Sequence, residues 1–122
     1  MARYATPEWI AAFDHALAAT DLDPADRDPI VVQYLLDDAP AGCGPYTLRV
    51  DGNGARVVAG TANDAVVTFR QDYGTAVAIA GGERSAQRAV LDGSIVITGD
   101  ATRLIGRAAL LAAIDRAVDS LG

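Results

Sequence analysis

The chain has few of the side chains that carry metal and nucleophilic chemistry: its 122 residues include one cysteine and one histidine. A single cysteine excludes a disulfide framework within the chain and favours a reducing compartment. A metal cage of several histidine and cysteine ligands, or a Cys–His nucleophile pair, is nearly excluded for the same reason. We interpret His15 as an exposed helix residue and Cys43 as a plain surface thiol in a glycine-flanked loop.

Lysine is absent, and ten arginines face 16 acidic residues, which gives a formal net charge of −6. This balance argues against a nucleic-acid partner, for which a basic stripe is expected. It argues equally against simple electrostatic docking on anionic lipid. No apolar run approaches the ~18 residues of a membrane-spanning helix, so we expect no stable membrane insertion.

Aromatic residues make up only 6% of the chain, so the core must be built from alanine, valine, leucine and isoleucine. The length predicts one domain over residues 1–122. The helical segments are also rich in small apolar side chains. Such a helix layer either closes tightly on its partner or leaves an apolar space, and composition alone favours tight closure.

The order of the periodic segments predicts an α+β fold. A first helix begins after Thr6, with Pro7 at its first position, and its apolar stripe contains Trp9, Phe13 and Leu17. Strands are predicted at 30–36, 46–50, 55–59, 65–70 and 94–98, and residues 46–70 are predicted to form a three-stranded antiparallel meander. Short helices are predicted at 72–80 and 85–91, and a long helix at 101–121.

The strand residues divide into a dry face and a wet face. Leu48, Val67, Phe69, Ile95 and Ile97 point one way. The side chains on the other face are polar or charged: Thr47, Arg49, Thr68, Arg70, Ser94 and Thr98. This alternation predicts a five-stranded, mostly antiparallel sheet covered by helices on one face only.

The long C-terminal helix contains an internal conflict, since its first and second halves present different apolar stripes. Gly106 lies between them, and glycine is unfavourable in a helix interior. We therefore predict a kink or break near Gly106. The segment from Leu110 onward is then a lid or a dimer contact, and Asp100 is predicted to cap the long helix at its start.

Other motifs favour structural interpretations. The acidic run Asp21, Asp23, Asp26 and Asp28 lacks the central glycine and the terminal glutamate of a calcium loop. We interpret it as a solvated loop. No serine lies in a Gly-x-Ser-x-Gly elbow.

The segment from residue 81 to residue 100 carries a recognisable pattern: Gly82, a short helix, Gly93, a strand that ends in Gly99-Asp100, and a further helix. The chain resembles the sterol carrier protein (type 2-like) lipid-binding domain family in this pattern. The segment from Tyr46 to Gly52 resembles the first hairpin of that family, and residues 65–69 resemble its strand before the helices. The first helix, with Trp9, is similar to that of bacterial members.

The resemblance implies an apolar tunnel between sheet and helices, and binding or transfer of a sterol, fatty acid, acyl-CoA or similar metabolite without catalysis or a cofactor. Together with the dry sheet face it predicts six lining residues: Phe69, Tyr73, Val77, Val90, Leu104 and Leu111. The chain ends without a Ser-Lys-Leu-type peroxisomal address, and its N-terminus lacks the hydrophobic stretch of a signal peptide, so a cytoplasmic location is expected.

Two other functions stay open. One is a small enzyme of the isomerase or cyclase type, which needs a buried acid or tyrosine with a shifted pKa. The candidates are Tyr34, Asp64, Asp72 and Tyr73. The other is an accessory subunit that binds a protein partner, and a homodimer is equally open.

Overall fold

The structure, a computed structural model, describes residues 3–20, 22 and 28–121. The acidic stretch at Asp21, Asp23 and Asp26 lies outside the described residues. The helices and strands follow in chain order: α1 (Pro7–Ala18), β1 (Ile30–Asp37), β2 (Tyr46–Asp51), β3 (Gly54–Ala59), β4 (Val67–Asp72), α2 (Tyr73–Ala80), α3 (Ala86–Leu91), β5 (Val96–Gly99), a short 3-10 turn (Ala101–Leu104) and α4 (Ala108–Asp119).

The five strands form one mixed sheet in the order β3-β2-β1-β4-β5. Only β1 and β4 run parallel, and the other neighbouring pairs are antiparallel. The α+β architecture with a mostly antiparallel sheet is therefore confirmed. The predicted meander is wrong at its third strand, because β4 pairs with β1 and β5 rather than with β3. The apolar strand β1 takes the central position, where both of its edges are paired.

Helix α1 begins as its sequence predicts. The Thr6 side chain accepts a hydrogen bond from the Trp9 amide at 3.3 Å, and Pro7 occupies the first turn. One face of the helix is buried in the core: Trp9, Ile10, Phe13 and Leu17. Asp14 fixes this helix to β3, because its carboxylate accepts from the Val57 amide at 2.7 Å and from the Arg56 guanidinium at 2.8 Å.

The division of the sheet into a dry and a wet face is confirmed. Leu48, Val32 and Val67 stand side by side across β2, β1 and β4 and are fully buried. On the other face, the Gln33 amide donates to the Thr68 hydroxyl at 2.9 Å. Thr47 on this second face is nevertheless buried, and its hydroxyl is satisfied because it donates to the Gly60 carbonyl at 2.8 Å.

Gly99 lies where the backbones of two strands come very close. Its φ is +87°, and a Cβ there would lie 2.4 Å from the Val66 carbonyl oxygen. The next amide, that of Asp100, donates to the same oxygen at 2.8 Å. Only glycine fits both the conformation and the approach, which explains Gly99 at the end of β5.

The C-terminal segment breaks as the conflicting stripes predict. Gly106 has a φ of +79° and separates the 3-10 turn from α4. The prediction that Asp100 caps a long helix is wrong, because α4 begins at Ala108 and the Asp100 side chain caps no backbone amide. Its carboxylate accepts from the Thr102 hydroxyl instead.

Candidate ligand-binding cavity

A cavity of about 530 Å³ lies between the dry face of the sheet and helices α2, α3 and α4. Its volume falls within the range of small-molecule sites, roughly 300–1,000 Å³. The tight-closure interpretation from composition is therefore wrong in this part of the molecule. The helix layer leaves a space large enough for a ligand.

Stacked aromatic rings form the floor of the cavity. Tyr46, Tyr34 and Phe69 occupy one row across β2, β1 and β4, and Ile97 of β5 continues it. The ring centroids of Tyr34 and Tyr46 lie 4.8 Å apart, and those of Tyr34 and Phe69 lie 5.2 Å apart, with nearly parallel planes in both pairs. Period-two alternation along each strand produces this row.

The walls come from the helices and are mostly aliphatic. Helix α2 contributes Ala76 and Ile79, α3 contributes Val90, and α4 contributes Leu111 and Val118. These side chains leave the space above the aromatic floor unfilled. Helix α4 packs on α1 through a different face, which carries the buried residues Leu110, Ala113 and Ala117. It is held against the core there while its neighbouring face borders the cavity.

Polar side chains border the cavity as well: Gln71, Arg84, Ser85, Gln87, Asp115 and Asp119, together with the hydroxyl-bearing Tyr34 ring. Burial raises the pKa of the Tyr34 hydroxyl well above its ordinary value, and Asp115 raises it further. Burial, with a smaller contribution from the Asp119 charge, raises the pKa of Asp115.

A hydrogen-bonded tyrosine pair lies beside the floor. The hydroxyls of Tyr4 and Tyr46 are 2.9 Å apart. Burial raises the pKa of Tyr4 to about 12. These rings therefore stay neutral and serve as apolar surface.

Four of the six lining residues predicted from sequence border the cavity: Phe69, Val90, Leu104 and Leu111. Tyr73 does not, because its hydroxyl turns toward the Tyr4 carbonyl at 3.1 Å. Val77 does not either, because it lies on the outer side of α2 and is 41% exposed. Binding by the four residues that border the space stays a prediction.

Sequence reasoning missed Tyr34, Tyr46 and Gln71 as lining residues. The available signal was alternation, since Gln71 follows Phe69 by two positions and so shares its face of β4. Tyr34 and Tyr46 could not be assigned without the strand register. That register depends on β1 lying between β2 and β4, which local sequence does not show.

The candidates for catalysis are mostly engaged elsewhere. Asp64 is exposed and paired with Arg49 at 2.8 Å, and Asp72 caps α2 by accepting from the Thr75 amide at 2.7 Å. Only Tyr34 of the four borders the cavity.

Cys43 is half-buried rather than a plain surface thiol, and its Sγ donates to the Tyr73 hydroxyl at 3.7 Å. Over residues 3–20, 22 and 28–121 there is no group of three or more His, Cys, Asp or Glu side chains placed to hold a metal ion.

The amino-acid sequence was compared with models of known protein families, and one family matches most of the chain. Residues 14–110 match the model of the SCP-2 sterol transfer family. The chain belongs to this family. A comparison with curated protein sequences finds no match.

Solved structures of the family share this fold. A crystal structure of sterol carrier protein 2 matches with a TM-score of 0.73 at 16% identity, over 96% of this chain and 98% of its own. The palmitated sterol carrier protein 2-like 2 of Aedes aegypti matches with a TM-score of 0.63 at 20% identity, over 93% and 94%.

The fold also occurs inside a larger protein. A variant of a sec-alkyl sulfatase matches with a TM-score of 0.56 at 18% identity, over 73% of this chain but only 14% of its own. In the part of the chain that the structure describes, no helix has the length and apolar character to cross a membrane.

Proposed function

We propose that the protein binds one apolar ligand in the cavity and carries it without transforming it. The aromatic floor and aliphatic walls carry this proposal, because burial of apolar ligand surface is the main attraction that such a lining offers. The ligand class is that of sterols, fatty acids, acyl-CoA or similar metabolites. Membership of the SCP-2 sterol transfer family and the palmitated state of the Aedes aegypti structure support it.

The lining offers little for catalysis. Tyr34 has a raised pKa, so it stays protonated near neutral pH and is no base. Asp115 and Asp119 border the cavity at an exposed part of α4. Carriage therefore accounts for these side chains more simply than an isomerase or cyclase reaction. Action in the cytoplasm is part of the same proposal and rests on the composition of the chain.

A matched pair of tryptophan variants tests the site. Val90→Trp places an indole at the cavity, whereas Val77→Trp places the same ring on the outer side of α2. Binding is followed by the fluorescence of diphenylhexatriene, a neutral hydrocarbon that becomes bright in an apolar site. We expect Val90→Trp to lose most of the probe binding and Val77→Trp to keep it.

Native mass spectrometry of the purified protein is a second test. It is expected to show a co-purified apolar molecule of one defined mass class. If the wild type binds no hydrocarbon probe at micromolar concentration, or if both tryptophan variants bind it like the wild type, the proposed carrier function is wrong.

A further inference from the structure

The cavity has a polar, exposed side and an aromatic, buried end. On the side of α3 and α4, which we call the mouth, four exposed polar residues border the space: Ser85, Gln87, Asp115 and Asp119. At the opposite end, which we call the closed end, the lining consists of aromatic rings: Tyr4, Phe13 and Tyr46. An amphiphile therefore keeps its polar head in water at the mouth and points its tail toward the closed end.

The Tyr4 ring stands upright on the aromatic floor at the closed end. The floor rings of Tyr34 and Tyr46 are nearly parallel, with an interplanar angle of 20°. The Tyr4 ring lies at 77° to that of Tyr46, with 6.3 Å between the centroids. Burial raises the pKa of Tyr4 to about 12, which places this end away from bulk water. A chain that lies along the floor therefore meets the Tyr4 ring as a wall.

Hydrogen bonds hold this wall in place, although Tyr4 precedes α1 and belongs to no helix or strand. Its hydroxyl lies 2.9 Å from that of Tyr46, and the Tyr73 hydroxyl donates to its backbone carbonyl at 3.1 Å. The next residue, Ala5, is fixed as well, because its carbonyl accepts from the Gly44 amide at 3.1 Å. Side chain and backbone are thus both anchored, and the ring has a defined position.

The floor sets the length of chain that fits between the two ends. Helix α3 lies beside β5, because the Ile95 amide donates to the Ala89 carbonyl at 3.0 Å. The floor from the closed end to this side crosses four adjacent strands, through Tyr46, Tyr34, Phe69 and Ile97. At the usual strand spacing it is roughly 14 Å long. An extended chain advances roughly 1.2 Å per bond, so about 12 carbons fit.

We infer that Tyr4 is a specificity-determining residue that selects chain length, because its ring stops the tail of a linear ligand at the closed end. This inference rests on the proposed carrier function and adds a size limit to it. Each methylene that fits between mouth and wall gains burial, whereas a longer tail leaves its additional carbons in water. Affinity therefore rises with length up to about 12 carbons and then levels off.

Displacement of diphenylhexatriene by alkyltrimethylammonium ions tests the limit, from the octyl to the octadecyl ion and below their micelle concentrations. The charged head stays in water beside the exposed Asp115 and Asp119, so each tail enters from the mouth. We expect the displacing concentration to fall about fourfold per methylene up to the dodecyl ion. From there to the octadecyl ion it is expected to stay level.

Variants of the wall and of the floor assign the limit to one ring. Tyr4→Ala frees roughly 5 Å, the distance between packed rings, so the levelling should move by about four carbons to the hexadecyl ion. Tyr4→Leu removes less and should move it by an intermediate amount, whereas Tyr4→Phe keeps the ring and the wild-type limit. Phe69→Ala removes a ring from the middle of the floor. It is expected to weaken every ion without moving the limit, and circular dichroism checks the fold of each variant.

Trp9 gives an independent readout, because it is the single tryptophan of the chain. It does not border the cavity, and its ring centroid lies 4.5 Å from that of Tyr4. Bromine quenches indole fluorescence only near contact. A hexadecyl ion with bromine on its last carbon should quench Trp9 weakly in the wild type and strongly in Tyr4→Ala. The same ion with bromine beside the head should quench it in neither.

Affinity that rises steadily through the octadecyl ion in the wild type overturns the inference. A limit that stays at the dodecyl ion in Tyr4→Ala and Tyr4→Leu, or equal quenching of Trp9 in wild type and Tyr4→Ala, also overturns it. Failure of the wild type to bind diphenylhexatriene overturns the proposed function and this inference with it, whereas probe binding without a chain-length limit overturns the inference alone.

Discussion

Two halves of the helix layer cover the same sheet in different ways. Helix α1 lies on the side of β3 and buries four large side chains: Trp9, Ile10, Phe13 and Leu17. Helices α2 and α3 lie at the other side and bury only Thr75, Ala76 and Ala89. Three of the seven exposed large apolar side chains in the described residues lie on these two short helices: Val77, Val90 and Leu91.

The contrast shows that the space between sheet and helices can be filled by side chains on one side of a small domain and left open on the other. Large residues on α1 pack against the sheet and are buried in the core. Helices α2 and α3 bury only small residues, and the space between them and the stacked floor of Tyr34 and Phe69 stays unfilled. A bound apolar molecule would supply there the packing that Trp9 and Leu17 supply on the first side.

The largest expected effect comes from equal truncations in the two halves. Leu17 of α1 is fully buried, whereas Leu111 of α4 borders the cavity and is 37% exposed. Leu17→Ala is expected to lower the free energy of unfolding by about 2–5 kcal/mol, and Leu111→Ala by less than about 1 kcal/mol. Chemical denaturation without ligand measures both. Equal losses would contradict the contrast between the packed and the open half.

A medium effect is expected at the contact between α1 and β3. Asp14→Ala removes the acceptor of the Arg56 guanidinium and of the Val57 amide, which leaves a half-buried donor unpaired. We expect a loss of about 1–2 kcal/mol in unfolding free energy. Asp64→Ala, which removes an exposed carboxylate from a similar arginine pair, is the control and is expected to change stability little.

The pH dependence of the Asp14 effect has a defined sign. The hydrogen bond from Arg56 is the main cause that lowers the pKa of Asp14 below its ordinary 3.8. The stabilisation of the fold by the charged Asp14 is therefore fully present above pH 3.8 and is lost as the pH falls through the lowered pKa. The stability difference between wild type and Asp14→Ala should shrink in that acid range, and a difference that grows there would contradict the assignment.

The smallest expected effect is at Asp115, beside the cavity, where a substitution is expected to stabilise the protein rather than destabilise it. Burial raises the pKa of Asp115, so its charged form is slightly unfavourable in the folded protein. Asp115→Asn is expected to raise the unfolding free energy by less than about 0.5 kcal/mol at neutral pH. The gain should shrink as the pH falls through the raised pKa and vanish below the ordinary value of 3.8, because the wild-type carboxyl is then protonated in both the folded and the unfolded protein. Denaturation at two pH values measures it.

Local signals in the sequence were sufficient for most of the fold. The cap at Thr6, the stripe of α1, the hairpin between β2 and β3, and the break at Gly106 are each set by neighbouring residues. The pairing of β4 with β1 could not be predicted in this way. This pairing depends on which strands have neighbours on both edges, and the strand order of the whole sheet decides that.

The site was only partly predictable for a related reason. Phe69, Val90, Leu104 and Leu111 border the cavity as predicted, whereas Val77 and Tyr73 do not. A helix with apolar residues on nearly every position, such as α2, gives no amphipathic signal to separate its inner from its outer side. Here Ala76 and Ile79 face the cavity, whereas the equally apolar Val77 is exposed.

Hydrogen exchange with and without diphenylhexatriene tests the central claim most directly. If an apolar ligand completes the open half, amides in α2, α3 and α4 should exchange faster than those in α1 and β2 without the probe. Addition of the probe should slow the first group and leave the second unchanged. Exchange that is uniformly slow in both halves, or that the probe does not alter, would contradict the claim and make α4 an ordinary core helix rather than a lid.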